Sequence, residues 1–162
     1  MTPSELLLFL QDFYREILEM TLARQANARS VGAYDANNAY QQVLGRQDVH
    51  LRWLSDAIAS LGGSVGDEPG GEPALLVATK ELIQHIIEGD AQAERGFIAR
   101  WQPRVATVTN ARHGKMLELI LGEMAEHLRL FQQALEGRTD LLGRHADGKE
   151  LSGLVLPGRP RG

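Results

Sequence analysis

Apolar residues recur every three or four positions through four long stretches of this 162-residue chain, and this periodicity constrains its fold most strongly. No stretch alternates with a period of two for long enough to form a strand. The pattern predicts four amphipathic helices, which cover about residues 3–29, 36–61, 74–101 and 109–137. The length is that of about one domain and is sufficient to bury a core. The sequence therefore predicts an all-α protein.

The segments that connect these helices differ in length. Residues 30–34 form a short turn before Asp35, which we expect to cap the second helix, and Pro103 is expected to end the third. The connector from residue 62 to residue 73 is rich in glycine and proline, and about 12 residues can span roughly 40 Å, the length of a long helix. We therefore expect two antiparallel helical hairpins joined by one long crossover over residues 1–138. An irregular tail over residues 139–162 would follow this four-helix bundle.

Composition excludes several classes of protein. The chain has no cysteine, so disulfides, thiolate metal sites and cysteine nucleophiles are excluded. Its net charge of −4 gives no reason to expect a nucleic-acid partner. The longest apolar run, residues 6–10, is far shorter than the ~18 residues that a membrane span requires. Because the N-terminus also lacks the features of a secretory signal, we expect a cytoplasmic protein without a membrane partner.

The second and fourth helices contain an internal repeat. Residues 43–54 (VLGRQDVHLRWL) align without gaps on residues 120–131 (ILGEMAEHLRLF), with five identical positions. The shared histidine, His50 in one copy and His127 in the other, lies in the same Leu-Gly…His-Leu-Arg frame. The two hairpins are therefore interpreted as halves of a pseudo-symmetric bundle.

A helix with this frame in each half of a four-helix bundle resembles the ferritin-like, rubrerythrin-type superfamily. That resemblance covers about residues 4–137. It implies one glutamate from the first helix of each half and a Glu-x-x-His pair from the second, which together hold two iron or manganese ions. His50 and His127 match the two histidines, but Gln47 and Met124 stand where the paired glutamates are expected.

Glu16 and Glu94 fall on the apolar stripes of the first and third helices and correspond to the remaining two glutamates. The resemblance therefore implies a degenerate site in which Glu16, His50, Glu94 and His127 hold one Fe, Mn or Zn ion or, as the alternative, form a metal-free polar cluster. Two divalent ions need more negative charge than two carboxylates supply in a dry interior. This deficit argues against a working dinuclear centre.

Three further residues are candidate ligands. Glu123 lies four residues before His127 and could replace the missing carboxylate, whereas a solvated surface charge is the alternative. Asp90 lies four residues before Glu94 and could be a ligand or the partner of one, and Gln47 offers only a neutral carbonyl oxygen.

Three functions remain open at this point. The first is a ferritin-like protein with a degenerate site, non-catalytic or binding a single metal ion, in metal handling or stress response by family analogy. The second is a di-iron or di-manganese oxidoreductase with a noncanonical ligand set. The third is a purely structural or protein-interaction helical bundle. We further expect a homo-oligomer, most simply a dimer, and a protein partner for the C-terminal tail.

Overall fold

A computed structural model describes residues 1–32, 34–66 and 79–137 of the chain. These residues form four α-helices and no strand: α1 (Pro3–Ser30), α2 (Tyr34–Ser60), α3 (Lys80–Val105) and α4 (Ala111–Leu135). The prediction of an all-α protein with four long helices is confirmed. The expected tail over residues 139–162 lies outside the described residues.

The helix ends follow from local side-chain chemistry. Thr2 caps α1 in a capping box with Glu5, Thr79 caps α3, and Asn110 caps α4 by accepting a hydrogen bond from the backbone N–H of His113. Beyond α2, Gly62 has a φ of 81°, a conformation that glycine adopts without the steric cost of a Cβ atom. Local capping thus defines the start of α1, α3 and α4 and the end of α2.

Three predicted boundaries were wrong. Asp35 does not cap α2, because the helix already begins at Tyr34 and Asp35 lies in its first turn. The third helix does not begin near Ala74, because its cap is Thr79; residues 74–78 lie outside the described ranges. Pro103 does not end it either, and α3 continues to Val105. A proline in the last turn costs only one backbone hydrogen bond there, and the buried Trp101 and Val105 hold that turn against the core.

The core is divided into two apolar clusters. In the larger one the ring pairs Phe9–Trp101, Phe13–Phe97 and Phe13–Trp101 pack edge to face, with centroids 5.0 to 5.2 Å apart, and Phe97 and Trp101 pack at a tilt with centroids 6.0 Å apart. The smaller cluster lies towards the other end of the helices and includes Tyr40 against Phe131. Helix α1 packs on α2 and α3, and α4 packs on α2 and α3.

Buried polar residues occupy the gap between the two clusters on every helix. We call this set the polar layer, and it comprises Arg24 on α1, Gln47 and His50 on α2, Asp90 and Glu94 on α3, and His127 on α4. Each of these side chains is buried, with at most 6% of its residue surface exposed. Because a buried polar group costs free energy unless it is paired, a layer of six marks the candidate functional site.

Candidate functional site

A fully buried arginine organises one half of the polar layer. The Arg24 guanidinium forms an ion pair and hydrogen bond with the Glu94 carboxylate, and neither side chain is exposed. Its Nε lies 3.9 Å from Asp90 Oδ1, and its Nη2 donates a hydrogen bond to the Asp90 carbonyl oxygen at 3.4 Å. The guanidinium also lies 5.2 Å from the centre of the Phe131 ring. One fixed positive charge therefore lies between two buried acidic side chains.

Asp90 is the most extensively bonded acid of the layer. Its carboxylate accepts hydrogen bonds from the Asn27 amide, at 3.1 and 3.2 Å, and from the Tyr40 hydroxyl. Burial raises the pKa of Asp90, and the hydrogen bond from Tyr40 together with the charge of Arg24 opposes that rise. Burial and the nearby Asp90 charge raise the pKa of Tyr40, so its hydroxyl stays protonated and acts as a donor.

The other half of the layer is built around His50. Its Nε2 lies 2.5 Å from Glu123 Oε2, and the second oxygen of Glu123 lies 2.6 Å from Arg46 Nη2. Burial lowers the pKa of His50, although Glu123 partly opposes this effect. Burial would raise the pKa of Glu123, but its hydrogen bonds to His50 and Arg46 leave it lowered. A neutral imidazole therefore donates from Nε2 to an ionised carboxylate, and its Nδ1 carries a free lone pair.

Several atoms of the layer have no hydrogen-bond partner within the described part of the chain. These atoms are both side-chain heteroatoms of Gln47, Nδ1 of His50, Oε1 of Glu94, Nδ1 of His127, and Nε and Nη1 of Arg24. The His50 and His127 rings stack with centroids 6.3 Å apart, and His127 Nδ1 lies 3.7 Å from Glu94 Oε1. Because buried polar atoms are normally paired, these atoms identify the part of the layer that can accept a further ligand.

The structure brings together three of the four residues predicted to form the site. His50, Glu94 and His127 all lie in the polar layer, whereas Glu16 does not join them. The Glu16 carboxylate is 37% exposed and accepts hydrogen bonds from Trp101 Nε1 at 2.9 Å and from Arg100 at 3.0 Å. It therefore lies at the edge of the α1–α3 interface.

The three further candidates have separate environments. Glu123 is bonded to His50 at the rim of the bundle, and Asp90 is bonded to Tyr40, Asn27 and Arg24. Gln47 is buried and its side chain has no hydrogen-bond partner among the residues that the structure describes. Over residues 1–32, 34–66 and 79–137, no cluster of three or more histidine, aspartate or glutamate side chains is arranged to hold a metal ion. The polar layer contains the buried Arg24 instead of such a cluster.

The sequence analysis missed Arg24, and one signal could have identified it. Positions 17, 21, 24 and 28 of α1 follow one another at the three- and four-residue spacing of a single helix face, and all four residues are buried. A charged residue at such a position is normally assigned to the surface, because arginine is rarely buried unless it is paired. Its partners Asp90 and Glu94 are 66 and 70 residues away in sequence.

The lowered pKa of His50 predicts a specific dependence of stability on pH. The unfolded chain binds a proton near the ordinary histidine pKa of about 6.5, whereas the folded chain resists it. The stabilisation is therefore fully present above pH 6.5 and is lost as the pH falls towards the folded pKa, with a slope of up to about 1.4 kcal/mol per pH unit. Urea unfolding at a series of pH values measures this slope, and His50→Gln should reduce it. His113, whose pKa is also lowered, contributes in the same direction.

His85→Gln is the matched control for this experiment, because His85 is exposed on α3. It should leave the slope unchanged. A His50→Gln protein with the full wild-type slope would contradict the assignment of a buried neutral imidazole.

Comparisons with known proteins add no relationship to this geometry. A scan against protein-family models, a search of curated proteins and a search of solved structures each found no match. Within the described ranges, no helix combines the length and the apolar character needed to cross a membrane. Function must therefore be argued from the polar layer itself.

Proposed function

We propose that the protein is a ferritin-like four-helix bundle with a degenerate, non-catalytic dinuclear centre, in which a buried arginine supplies the positive charge that two metal ions supply in that family. The observation that carries this proposal is the Arg24 guanidinium, fully buried and paired with Glu94 beside Asp90. Glu94 is the glutamate that the family resemblance assigns to the metal centre. Here its carboxylate is neutralised by a residue of the chain.

The order of contacts between the helices supports the ferritin-like topology within this proposal. Residues that come later in α1 contact residues that come earlier in α3, in the pairs Phe9–Trp101, Phe13–Phe97 and Arg24–Asp90. The same reversal holds between α2 and α4, in the pairs Tyr40–Phe131 and His50–His127. Both patterns are typical of antiparallel neighbours.

Contacts between α1 and α2 follow the same reversed order. Asn37 near the start of α2 donates to Ala28 and Val31 near the end of α1, while Ser64 beyond the end of α2 accepts from Gln11. If α1 is antiparallel to both α2 and α3, then α2 and α3 run in the same direction. Parallel α2 and α3 are what the ferritin-like topology, with its long crossover between the second and third helices, would require.

The residues present do not fit a dinuclear centre. Two divalent ions would add four positive charges beside the fixed charge of Arg24, in an interior where Coulomb energies are large. Gln47 and Met124, both buried, supply no negative charge to offset them. Glu16 is occupied at the helix edge by Trp101 and Arg100. We therefore propose no dinuclear oxidation chemistry for this chain.

A single bound metal ion is the second candidate, and one observation favours it. His50 and His127 each have a buried Nδ1 without a hydrogen-bond partner among the described residues, and their rings are stacked. Together with Oε1 of Glu94, which lies 3.7 Å from His127 Nδ1, they are the groups that would hold one Fe, Mn or Zn ion after a rearrangement of these side chains, since these metals accept nitrogen and oxygen ligands. The ion would supply a Lewis-acidic charge inside the polar layer.

Metal content per chain separates these candidates. Protein purified without chelator, and then incubated with Fe²⁺, Mn²⁺ or Zn²⁺ and desalted, should carry no stoichiometric metal if Arg24 has replaced the metal ions. The measurement is elemental analysis by inductively coupled plasma mass spectrometry. Two equivalents per chain would contradict the proposal.

One equivalent would favour the second candidate, provided that it depends on the imidazoles. In that case His50→Ala combined with His127→Ala should abolish binding, whereas His85→Ala should not. Binding that survives the double substitution would place the ion elsewhere and reject this site.

A further inference from the structure

A cavity lies between α2 and the first turns of α4, and none of the polar-layer residues lines it. Its volume is about 280 Å³, close to the lower end (about 300 Å³) of small-molecule sites. It is lined mainly by Trp53, Asp56, Ser60, Arg112, His113 and Met116. The proposed function leaves these residues without a role.

His113 is a buried polar side chain of this cavity. The residue is only 9% exposed, and its Nδ1 has no hydrogen-bond partner within the described ranges. Burial, and to a smaller extent the charge of Arg112, lower the pKa of His113. The His113 imidazole is therefore neutral and forms part of the cavity wall, but its unpartnered Nδ1 is covered, so a ligand would be held by the accessible polar groups of the other lining residues.

Two opposite charges line the same cavity without neutralising each other. Asp56 on α2 and Arg112 on α4 are exposed, and neither forms an ion pair with any residue that the structure describes. Arg112 lies in the first turn of α4, where the helix dipole adds positive potential. The cavity thus has a positive side and a negative side.

The remaining lining residues further restrict the kind of ligand that the cavity can bind. The Ser60 hydroxyl donates to the Ala57 carbonyl at 2.6 Å, so its lone pairs remain free to accept a hydrogen bond near Asp56. Trp53 and Met116 are half-buried and offer apolar contact area. A simple anion would be repelled by Asp56, and a simple cation would be repelled by Arg112 and the helix N-terminus.

We propose that this cavity binds a free α-amino acid with an apolar side chain. Its carboxylate would pair with Arg112 at the start of α4, and its ammonium group would pair with Asp56 and Ser60. The apolar side chain would contact Trp53 and Met116. Both charges of the ligand and both charges of the cavity are then satisfied.

Calorimetric titration with leucine and two truncated analogues tests this proposal. Isoamylamine lacks the carboxylate of leucine, and isocaproate lacks its ammonium group. Leucine should bind, and each analogue should bind at least about tenfold more weakly, because a hydrogen bond to a charged group is lost. Inorganic phosphate, tested in parallel, should bind no better than isocaproate.

Two substitutions locate the binding in the cavity. Arg112→Gln and Asp56→Asn should each weaken leucine binding at least about tenfold. Arg95→Gln and Asp48→Asn are matched controls, since both residues are exposed and neither lines the cavity; they should have no effect. Far-UV circular dichroism checks that every variant is folded.

Three results would overturn the proposal. The first is the absence of any heat of binding with leucine at millimolar concentrations. The second is binding of phosphate and isocaproate as tight as that of leucine, which would indicate a general anion site at a helix N-terminus. Leucine binding that is unchanged in both cavity variants would place the ligand elsewhere on the protein.

Discussion

Replacement of Arg24 by methionine is expected to lower the free energy of unfolding by about 3–5 kcal/mol. The substitution keeps a long apolar side chain but removes the charge that faces Glu94 and Asp90. Both acids would then be buried without their cation, and an unpaired buried charge is far more costly than a lost surface pair. Urea or guanidinium unfolding monitored by circular dichroism measures the loss.

Two further variants show whether the loss comes from charge. Arg15→Met breaks an ion pair with Asp12 in which both side chains are more than half exposed, and should cost no more than about 1 kcal/mol. Adding Asp90→Asn and Glu94→Gln to Arg24→Met removes the unpaired charges and should recover part of the stability. A triple variant as unstable as Arg24→Met would show that packing, not charge, accounts for the loss.

Truncation of Trp101 to alanine is expected to cost about 3–5 kcal/mol as well, for a different reason. Trp101 is 1% exposed and contacts the rings of Phe9, Phe13 and Phe97, so its removal opens a large cavity in the apolar core. The same unfolding experiment measures this loss. Trp101→Phe, which mainly removes the N–H that reaches Glu16, should cost about 1–2 kcal/mol.

The second tryptophan provides the internal comparison. Trp53 is half-buried and lines the cavity between α2 and α4, so Trp53→Ala should cost about 1 kcal/mol. Equal losses of stability in Trp101→Ala and Trp53→Ala would contradict the assignment of Trp101 to the densely packed core and of Trp53 to the wall of the cavity.

The helices and much of their inward face could be predicted from the sequence. Periodicity reports which side of a helix is apolar, and it placed Glu94 on the inward side, where the structure has it. The internal repeat and the family resemblance, not periodicity, assigned His50 and His127 to the interior, where both are buried. Periodicity failed for Glu16, which is adjacent to the buried Ile17 and is turned about 100° from it around the helix axis. A rotation of that size separates a core position from the edge of an interface.

The pairing of Arg24 could not be predicted in the same way. An inward arginine is neutralised only if another helix places acidic residues at the same level along the bundle axis. The apolar pattern of a single helix does not show which residues of another helix lie at that level. The same reason applies to Glu123, which was open to interpretation as a surface charge. Its bond to His50 depends on the packing of α2 against α4.

The fixed guanidinium also determines the order in which a metal centre could be engineered into this bundle. Installing carboxylates at Gln47 or Met124 first would add further anions to the polar layer, in which the single charge of Arg24 already faces the two acids Asp90 and Glu94. Deleting Arg24 first would leave those two acids unmatched. A workable route therefore exchanges the cation and the ligands together, with the metal present while the chain folds, so that no step adds an uncompensated charge to the interior.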